Sequence, residues 1–199
     1  MPNWASVNYK ITGQEKELTT LYEAIQNLHN GNGELLPNDF GNLWLGNLVH
    51  AFGGDWEKIY CRGRITDYRF EKESSTLIID METAWGEMKE VRTFLHEKFP
   101  SITILFIEEE PGNGVYNTNN KEFYNSFRYY LDCCIDSRIC DMCSEYFPSL
   151  EKVVEYIKEN LDPSAKIEAT KEAIEEFING WVSEHEDDFL SLNEFRFVG

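Results

Sequence analysis

The order of hydrophobic periods along the first half of this chain limits its fold more than any other feature. From Trp4 to Thr12 apolar and polar residues alternate, which is the period of a half-buried strand. Residues 14–28 instead place apolar side chains every three or four positions, as an amphipathic helix does. Residues 58–70 and 76–83 then predict two strands of a hairpin around a polar turn.

A second helix and a fourth strand complete this pattern. Helical spacing runs from Gly86 to Phe99 and ends at Pro100, because proline cannot continue a helix. Residues 101–108 predict a strand with apolar side chains on both faces, which is typical of a strand covered on both sides. The order β-α-β-β-α-β is that of the split βαβ, or ferredoxin-like, arrangement. We therefore predict an α+β fold with helices on one face of an antiparallel sheet.

Two further regions extend the predicted core. Residues 31–57 predict an inserted loop with a short helix, inside a ferredoxin-like domain that spans residues 1–118. Residues 119–199 predict a mainly helical C-terminal extension, with an added strand at residues 123–134 and two helices, packed on the core. Ser149 is expected to cap the first of these helices, and Asp162-Pro163 to begin the second.

The charge of the chain restricts its partners. The chain has 36 acidic and 18 basic residues, a net charge of -18, and residues 141–199 alone hold 15 acidic and 5 basic side chains. A negative field repels phosphates, and the basic cluster of Arg62, Arg64 and Arg69 is small, so direct nucleic-acid binding is not expected. A protein partner with a basic surface is the interaction that this charge favours.

The location that the sequence favours is the cytoplasm. No apolar run approaches the roughly 20 residues that a membrane helix needs, so no membrane association is expected. The first residues lack the apolar segment of a signal peptide. The five cysteines are therefore predicted to be reduced thiols.

Four glutamates near two strand ends are the first candidates for a functional site. Glu108, Glu109 and Glu110 end the fourth strand, and Glu82 ends a strand of the hairpin. Paired carboxylates can bind a metal or share a proton. The alternative is a solvated strand end before a turn, because no histidine or lysine lies close in the sequence to assist acid–base chemistry.

Two tryptophans and a turn residue are further candidates for the same site. Trp85 stands between a strand and a helix, where it could pack as a hydrophobic staple or remain exposed as a contact for a partner. Trp4 is expected to cover the sheet edge. The candidate interaction or ligand surface comprises Trp4, Glu82, Trp85, Glu108, Glu109, Glu110 and Asn113.

A cluster of cysteines raises the question of a metal site. Cys133, Cys134, Cys140 and Cys143 lie within eleven residues, and the last two have the spacing of a zinc-binding pair. Adjacent strand residues point to opposite faces, so only one of the first two could join, which leaves Cys134, Cys140 and Cys143 as weak candidates. A second pair of ligands is missing, and we predict buried or incidental thiols with no metal and no cofactor.

Short motifs in a fixed order carry a family resemblance. The start MPNW, ETAW at Glu82–Trp85, KFPSITILF around Pro100, and EEPGNG at Glu109–Gly114 follow one another along the chain. In these motifs and their order the chain resembles the Api92-like, or YubB, family of proteins, which occur in phages, conjugative plasmids and related mobile elements. The resemblance covers about residues 1–118 and implies a ferredoxin-like fold, but no activity and no catalytic residue. The chain departs from the family pattern at Ala5, where cysteine is expected.

These observations lead to a ranked set of functional hypotheses. Because the sequence contains none of the common catalytic motifs, we expect a non-enzymatic binding or accessory module with an acidic surface for a basic protein. One alternative is a small metal-dependent or carboxylate-using enzyme that employs the cysteines or Glu82, Glu108 and Glu110. Another is a small-ligand-binding module, with residues 31–57 as a lid over the sheet.

Overall fold

A computed structural model describes residues 2–135, 143–185 and 187–199. The protein is a mixed α+β protein, as predicted, and it divides into two compact units, Met1–Val115 and Tyr116–Gly199. The elements of the first unit are β1 (Trp4–Thr12), α1 (Glu15–His29), α2 (Leu45–Ala51), β2 (Gly63–Glu71), β3 (Thr76–Ala84), α3 (Lys89–Lys98) and β4 (Thr103–Glu110).

The strands of the first unit pair in the order β2-β3-β1-β4, and all these pairs are antiparallel. Ser6 on the central strand β1 lies opposite both Glu82 on β3 and Glu109 on β4. Val7 lies opposite Glu108 in the same way. Because partners in register share a face of the sheet, Glu82 and Glu109 lie on one face and Glu108 on the other.

One face of this sheet forms the core of the first unit. Alternate residues of β1, from Ala5 to Ile11, are buried with the apolar residues of α1, α2 and α3. The opposite face is only partly covered, and Leu105 and Ile107 of β4 are half-buried there. The prediction that β4 is covered on both sides was therefore too strong. Its apolar outer residues reach only partial burial.

Two boundaries in the first unit depart from the sequence prediction. Strand β2 begins at Gly63 rather than at residue 58. Residues 56–58 instead form a turn, in which the backbone N–H groups of Lys58 and Ile59 donate to the carbonyl oxygen of Asp55, and residues 60–62 are irregular. The short helix expected within residues 31–57 is present as α2.

The second unit contains more strands than the sequence predicted. Its elements are β5 (Val115–Thr118), α4 (Lys121–Ser126), β6 (Tyr129–Cys134), β7 (Cys143–Phe147), α5 (Leu150–Asn160), α6 (Lys171–Glu184), β8 (Phe189–Glu194) and β9 (Arg196–Phe197). Strands β7, β6 and β8 form an antiparallel sheet in that order, and β5 pairs with β9 in parallel. Apolar residues of α5 and α6 share a core with this sheet. No helix in the described ranges is both long and apolar enough to cross a membrane.

Two local predictions for the second unit were wrong. The segment 123–134, predicted as one strand, begins in helix α4, because the side chain of Asn120 accepts hydrogen bonds from Glu122 N and Phe123 N and so caps a helix. Asp162 does not begin a helix. Its carboxylate accepts from the backbone N and the hydroxyl of Ser164 and closes a turn, and α6 starts only after Thr170.

Candidate ligand-binding clefts

The predicted glutamates do not converge on one site. Glu82 is exposed and forms an ion pair with Arg64 at 2.7 Å, whereas Glu108 and Glu110 are buried on the opposite face of the sheet. Glu109 is half-buried on the face of Glu82. Within the described parts of the chain, no three His, Cys, Asp or Glu side chains are grouped so that they could hold a metal ion. The geometry therefore gives no support to an enzyme that uses Glu82, Glu108 and Glu110 together.

Glu108 holds the joint between β3 and α3. Its Oε1 accepts a hydrogen bond from Glu87 N at 2.9 Å. The joint has unusual backbone angles, since Trp85 has φ of 71° and Gly86 has φ of 153°. A Cβ atom at position 86 would collide with the Glu108 carboxylate, so this approach requires glycine. The local role of Glu108 is thus structural.

A buried polar cluster that the sequence did not reveal lies beside this joint. The Glu87 carboxylate accepts from the hydroxyl of Tyr9, and its Oε1 accepts from Arg92 Nε at 2.8 Å. Arg92 also lies over the ring of Phe106, 5.0 Å from its centroid. Burial, followed by the charge of Glu87, raises the pKa of Tyr9 well above its ordinary value. Tyr9 and Glu87 are 78 positions apart, so no local pattern could have paired them.

Glu110 and Asn113 belong to the turn that follows β4. One carboxylate oxygen of Glu110 accepts from Asn113 N at 3.1 Å and so caps a short 3-10 turn at Pro111–Asn113. Gly114 has φ of 63° and ends that turn. The other oxygen of Glu110 is buried and has no hydrogen-bond partner among the described residues. Asn113 itself is exposed.

The two predicted tryptophans are both exposed at the surface of the first unit. Trp85 is 52% exposed, and its backbone N donates to Asn3 O at 2.9 Å. The hydrophobic staple was therefore the wrong alternative for Trp85, since the ring of a staple is packed against the helix it begins. Trp4 is 44% exposed and lies edge-on to Phe40, with 6.2 Å between ring centroids.

The weak metal candidates can be placed only in part. Cys134 is exposed at the end of β6, and the neighbouring Cys133 is buried, so the two point to opposite faces as predicted. The backbone of Cys143 on β7 lies opposite that of Cys134. Cys140 lies outside the described residues. Cys133, Cys134 and Cys61 are free thiols.

Two adjoining clefts lie where the inserted residues 31–57, and the residues 58–62 that follow them, meet the start of β2. The first, which we call the loop cleft, has a volume of about 580 Å³ and is lined by Phe40, Trp44, Trp56, Glu57, Lys58, Ile59, Tyr60, Cys61, Arg62 and Glu90. The second, the sheet cleft, has a volume of about 590 Å³ and is lined by Trp4, Asp39, Phe40, Arg62, Arg64 and Glu82. Phe40 and Arg62 line both, so the clefts adjoin along these two side chains.

A row of four aromatic rings runs along the two clefts. Trp4 contacts Phe40, Phe40 stacks on Trp44 at 6.2 Å, and Trp44 meets Trp56 edge-on at 5.4 Å. Trp44 is buried at the centre of the row, while the other three rings remain partly exposed. The three partly exposed rings pack in a row with the buried ring of Trp44. They can therefore offer flat apolar faces to a ligand.

Hydrogen bonds hold the middle of the inserted segment against the start of β2 and also connect residues within the segment. Trp44 Nε1 donates to Cys61 O at 2.9 Å, and Ile65 N donates to Leu43 O at 2.9 Å, so the segment is fixed to the start of β2. The buried Asn47 side chain accepts from Leu36 N and donates to Asn42 O, both at 3.0 Å. These bonds fix the shape of both clefts before any ligand enters, which lowers the entropic cost of binding.

The charges around the clefts are unevenly paired. Lys58 pairs with Asp55 at 2.7 Å, Arg64 pairs with Glu82 at 2.7 Å, and Glu90 accepts from Tyr60 N at 2.5 Å. Arg62 is exposed and makes no ion pair with any residue that the structure describes.

The thiol of Cys61, which lines the loop cleft, has low nucleophilic reactivity near neutral pH. Burial, followed by the charge of Glu90, raises the pKa of Cys61 to about 11. The thiol is therefore neutral near pH 7, and a neutral thiol is a poor nucleophile. Cys61 is therefore poorly suited to act as a nucleophile near pH 7.

The fold and the clefts thus define an α+β protein with two aromatic-lined clefts in its first unit. No family model, no curated protein and no solved structure matches the chain. The resemblance to the Api92-like family consequently stays a prediction. Of the sequence-based hypotheses, the one that placed a ligand beside residues 31–57 singled out the segment that forms these clefts. That segment contains the lining residues Asp39, Phe40, Trp44, Trp56 and Glu57, but none of the lining residues after residue 57.

Proposed function

We propose that this protein is a non-enzymatic binding module that holds an aromatic ligand in the loop cleft and the sheet cleft. The observation that carries the proposal is the row of rings from Trp4 through Phe40 and Trp44 to Trp56. Each cleft falls within the size range of small-molecule sites, which is about 300–1,000 Å³. Mostly apolar linings with a few polar groups are usual for such sites.

The topology of the first unit supports a finer description of the fold. The chain order β1, α1, β2, β3, α3, β4, the strand order β2-β3-β1-β4 and the helices on one face agree with a ferredoxin-like arrangement. Helix α2 and the loops around it are then an insertion between the first helix and the second strand. We propose that this insertion supplies the ligand specificity, because a loop on a rigid sheet tolerates variation.

The test uses Phe40, which lines both clefts. We expect saturation-transfer NMR of the full chain with a set of one- and two-ring aromatic fragments to reveal fragments that bind. Phe40→Ala should weaken these fragments about threefold to tenfold, because a ring contact contributes about 0.5–1.5 kcal/mol. Phe127→Ala, which removes an exposed ring from the second unit, is the matched control and should change nothing. Fragments that bind equally well to the Phe40→Ala variant would refute the proposal.

A second candidate function follows from the acidic face of helix α5. Glu151, Glu155 and Glu159 are spaced by four residues and are all exposed, so they form a stripe along one side of the helix. Glu155 is partly neutralised by Lys152 at 2.5 Å. We propose that this stripe meets the basic protein partner that the charge of the chain favours.

Binding to a defined basic probe tests this second candidate. Changing the three glutamates of the stripe to glutamine should weaken binding to histone H1 at low salt more than a matched triple change elsewhere does. The matched triple uses exposed glutamates of the first unit, namely Glu23, Glu73 and Glu97. Equal effects of the two triples would show that only net charge matters and would overturn the stripe as a site.

A further inference from the structure

We infer that the ligand of the two clefts is a planar aromatic compound with a single negatively charged group, whose charge is held by Arg62. The inference rests on the proposed function and specifies the ligand that it leaves open. Three properties of the clefts support it: the unpaired cation at their junction, the acidic groups around that cation, and the flat aromatic lining.

Arg62 is placed to receive an anion from either cleft. Its backbone carbonyl accepts from Ala84 N at 2.9 Å, so the main chain at this position is fixed to β3. Its side chain is exposed and lines both clefts. The other two cations of the lining, Lys58 and Arg64, already hold carboxylates. A guanidinium offers a planar pair of donors that matches a carboxylate, so Arg62 can bind one anionic group without breaking an existing ion pair.

Acidic side chains that line the same clefts as Arg62 limit the ligand to one negative charge. Glu57 lies in the loop cleft and Asp39 in the sheet cleft, and both are exposed. A second or third negative group on the ligand would approach one of these carboxylates. The net charge of -18 adds to that repulsion. Polyphosphates are therefore disfavoured relative to a simple carboxylate.

The aromatic row explains why the ligand should be flat. Phe40 and Trp44 are nearly parallel, with 11° between their planes, and Phe40 is half-buried with part of its surface open to both clefts. An aromatic ring can stack on such a surface, whereas a saturated ring of the same size cannot make that contact as closely. A guanidinium can also stack on the face of an aromatic ring. Arg62 can therefore contact both the charged group and the ring of one ligand.

Isothermal titration calorimetry of the full chain with four probes tests the inference. The probes are 2-naphthoate, its neutral analogue naphthalene-2-carboxamide, the saturated decahydronaphthalene-2-carboxylate, and the cation 2-naphthylmethylammonium. We expect 2-naphthoate to bind about fivefold more tightly than the carboxamide, which is the upper range for an ion pair at an exposed position. The saturated carboxylate and the cation should both bind more weakly than 2-naphthoate.

Arg62→Gln isolates the contribution of the guanidinium. The variant should lose about fivefold in affinity for 2-naphthoate and leave the affinity for the carboxamide unchanged. Arg69→Gln is the matched control, because Arg69 is an exposed arginine of β2, the strand that follows Arg62, and lines neither cleft. It should change neither affinity. The preference for 2-naphthoate should also shrink as salt is added, since exposed charges are screened.

The outcomes separate this inference from the proposed function. Equal binding of 2-naphthoate and the carboxamide, or tightest binding of the cation, would overturn the anionic ligand. So would an Arg62→Gln variant that keeps the full preference for 2-naphthoate. In each of these cases the proposed function stands if Phe40→Ala still weakens the naphthalene probes. If no probe binds, or if Phe40→Ala has no effect on any of them, the inference and the proposed function both fail.

Discussion

Glu87→Gln tests the buried cluster that joins β1, α3 and β4. The Glu87 side chain is only 7% exposed and accepts from both the Tyr9 hydroxyl and Arg92. Glutamine has nearly the same size and keeps an oxygen at the position of Oε1, the atom that accepts both bonds, so the substitution removes the charge and little else. Arg92, whose side chain is 26% exposed, then loses its carboxylate partner.

The expected cost can be estimated from the burial of the pair. Removing one partner of a fully buried ion pair costs about 3–5 kcal/mol, because an uncompensated charge remains. Arg92 is partly open to water, so part of this cost is recovered by hydration. The bonds from Tyr9 and from Arg92 then go to a neutral amide oxygen and not to a charged one. We therefore expect the free energy of unfolding of the first unit to fall by about 2 kcal/mol.

Urea unfolding followed by tryptophan fluorescence measures this change. Four of the five tryptophans lie in the first unit, and Trp181 lies in the second. A Trp181→Phe background therefore makes the fluorescence report on the first unit alone. Glu97→Gln is the matched control, because Glu97 is an exposed glutamate of α3, the helix that carries Arg92. It should change the free energy of unfolding by less than about 0.5 kcal/mol.

A double-mutant cycle with Arg92→Met decides whether the pair itself is responsible. If Glu87 and Arg92 stabilise the fold through each other, the two single changes should share at least about 1 kcal/mol of coupling energy. Strictly additive effects, or a Glu87→Gln variant as stable as the Glu97→Gln control, would refute this account of the cluster.

Three further predictions concern single side chains. Gly86→Ala should destabilise the first unit by about 1–3 kcal/mol in urea unfolding, because its Cβ meets the Glu108 carboxylate; a neutral effect would contradict this. Cys61, with its pKa raised to about 11 by burial, should react with iodoacetamide at about pH 8 more than tenfold more slowly than exposed Cys134, measured by peptide mass spectrometry; equal rates would contradict this. Burial raises the pKa of Tyr9, so its contribution to stability is complete below about pH 10 and is lost as the pH rises further. Tyr9→Phe should reduce this alkaline loss in urea unfolding, and an unchanged pH profile would contradict the assignment.

Strands and helices with a clear period were predictable because the period is a local property. Strand β1 has the predicted bounds Trp4–Thr12, and α1 differs from residues 14–28 by one residue at each end. Where a polar side chain decided the local structure, periodicity failed. The Asn120 cap turned part of an expected strand into α4, and the Asp162 carboxylate closed a turn where a helix was expected.

The candidate site was predictable only as a region. Residues 31–57 were recognised as a segment that could lie over the sheet, because their loop composition interrupts two regular patterns. The lining of the clefts depends on contacts across the chain, such as the isolated bridge between Trp44 and Arg64 and the bond from Trp44 to Cys61. Spacing within one segment carries no information about such contacts.

The glutamates near the strand ends suggested a catalytic site. The alternation of side chains between the two faces of a strand argues against such a site. Successive residues of β4 point to opposite faces, so Glu108 and Glu109 cannot act on the same substrate. The buried Glu108 is occupied by the backbone at the β3–α3 joint, and the exposed Glu82 is paired with Arg64. That second pairing has a consequence for binding. Because Glu82 neutralises Arg64, Arg62 remains as the cation of the lining that the described residues leave unpaired, and a single anionic group is what the clefts can accept.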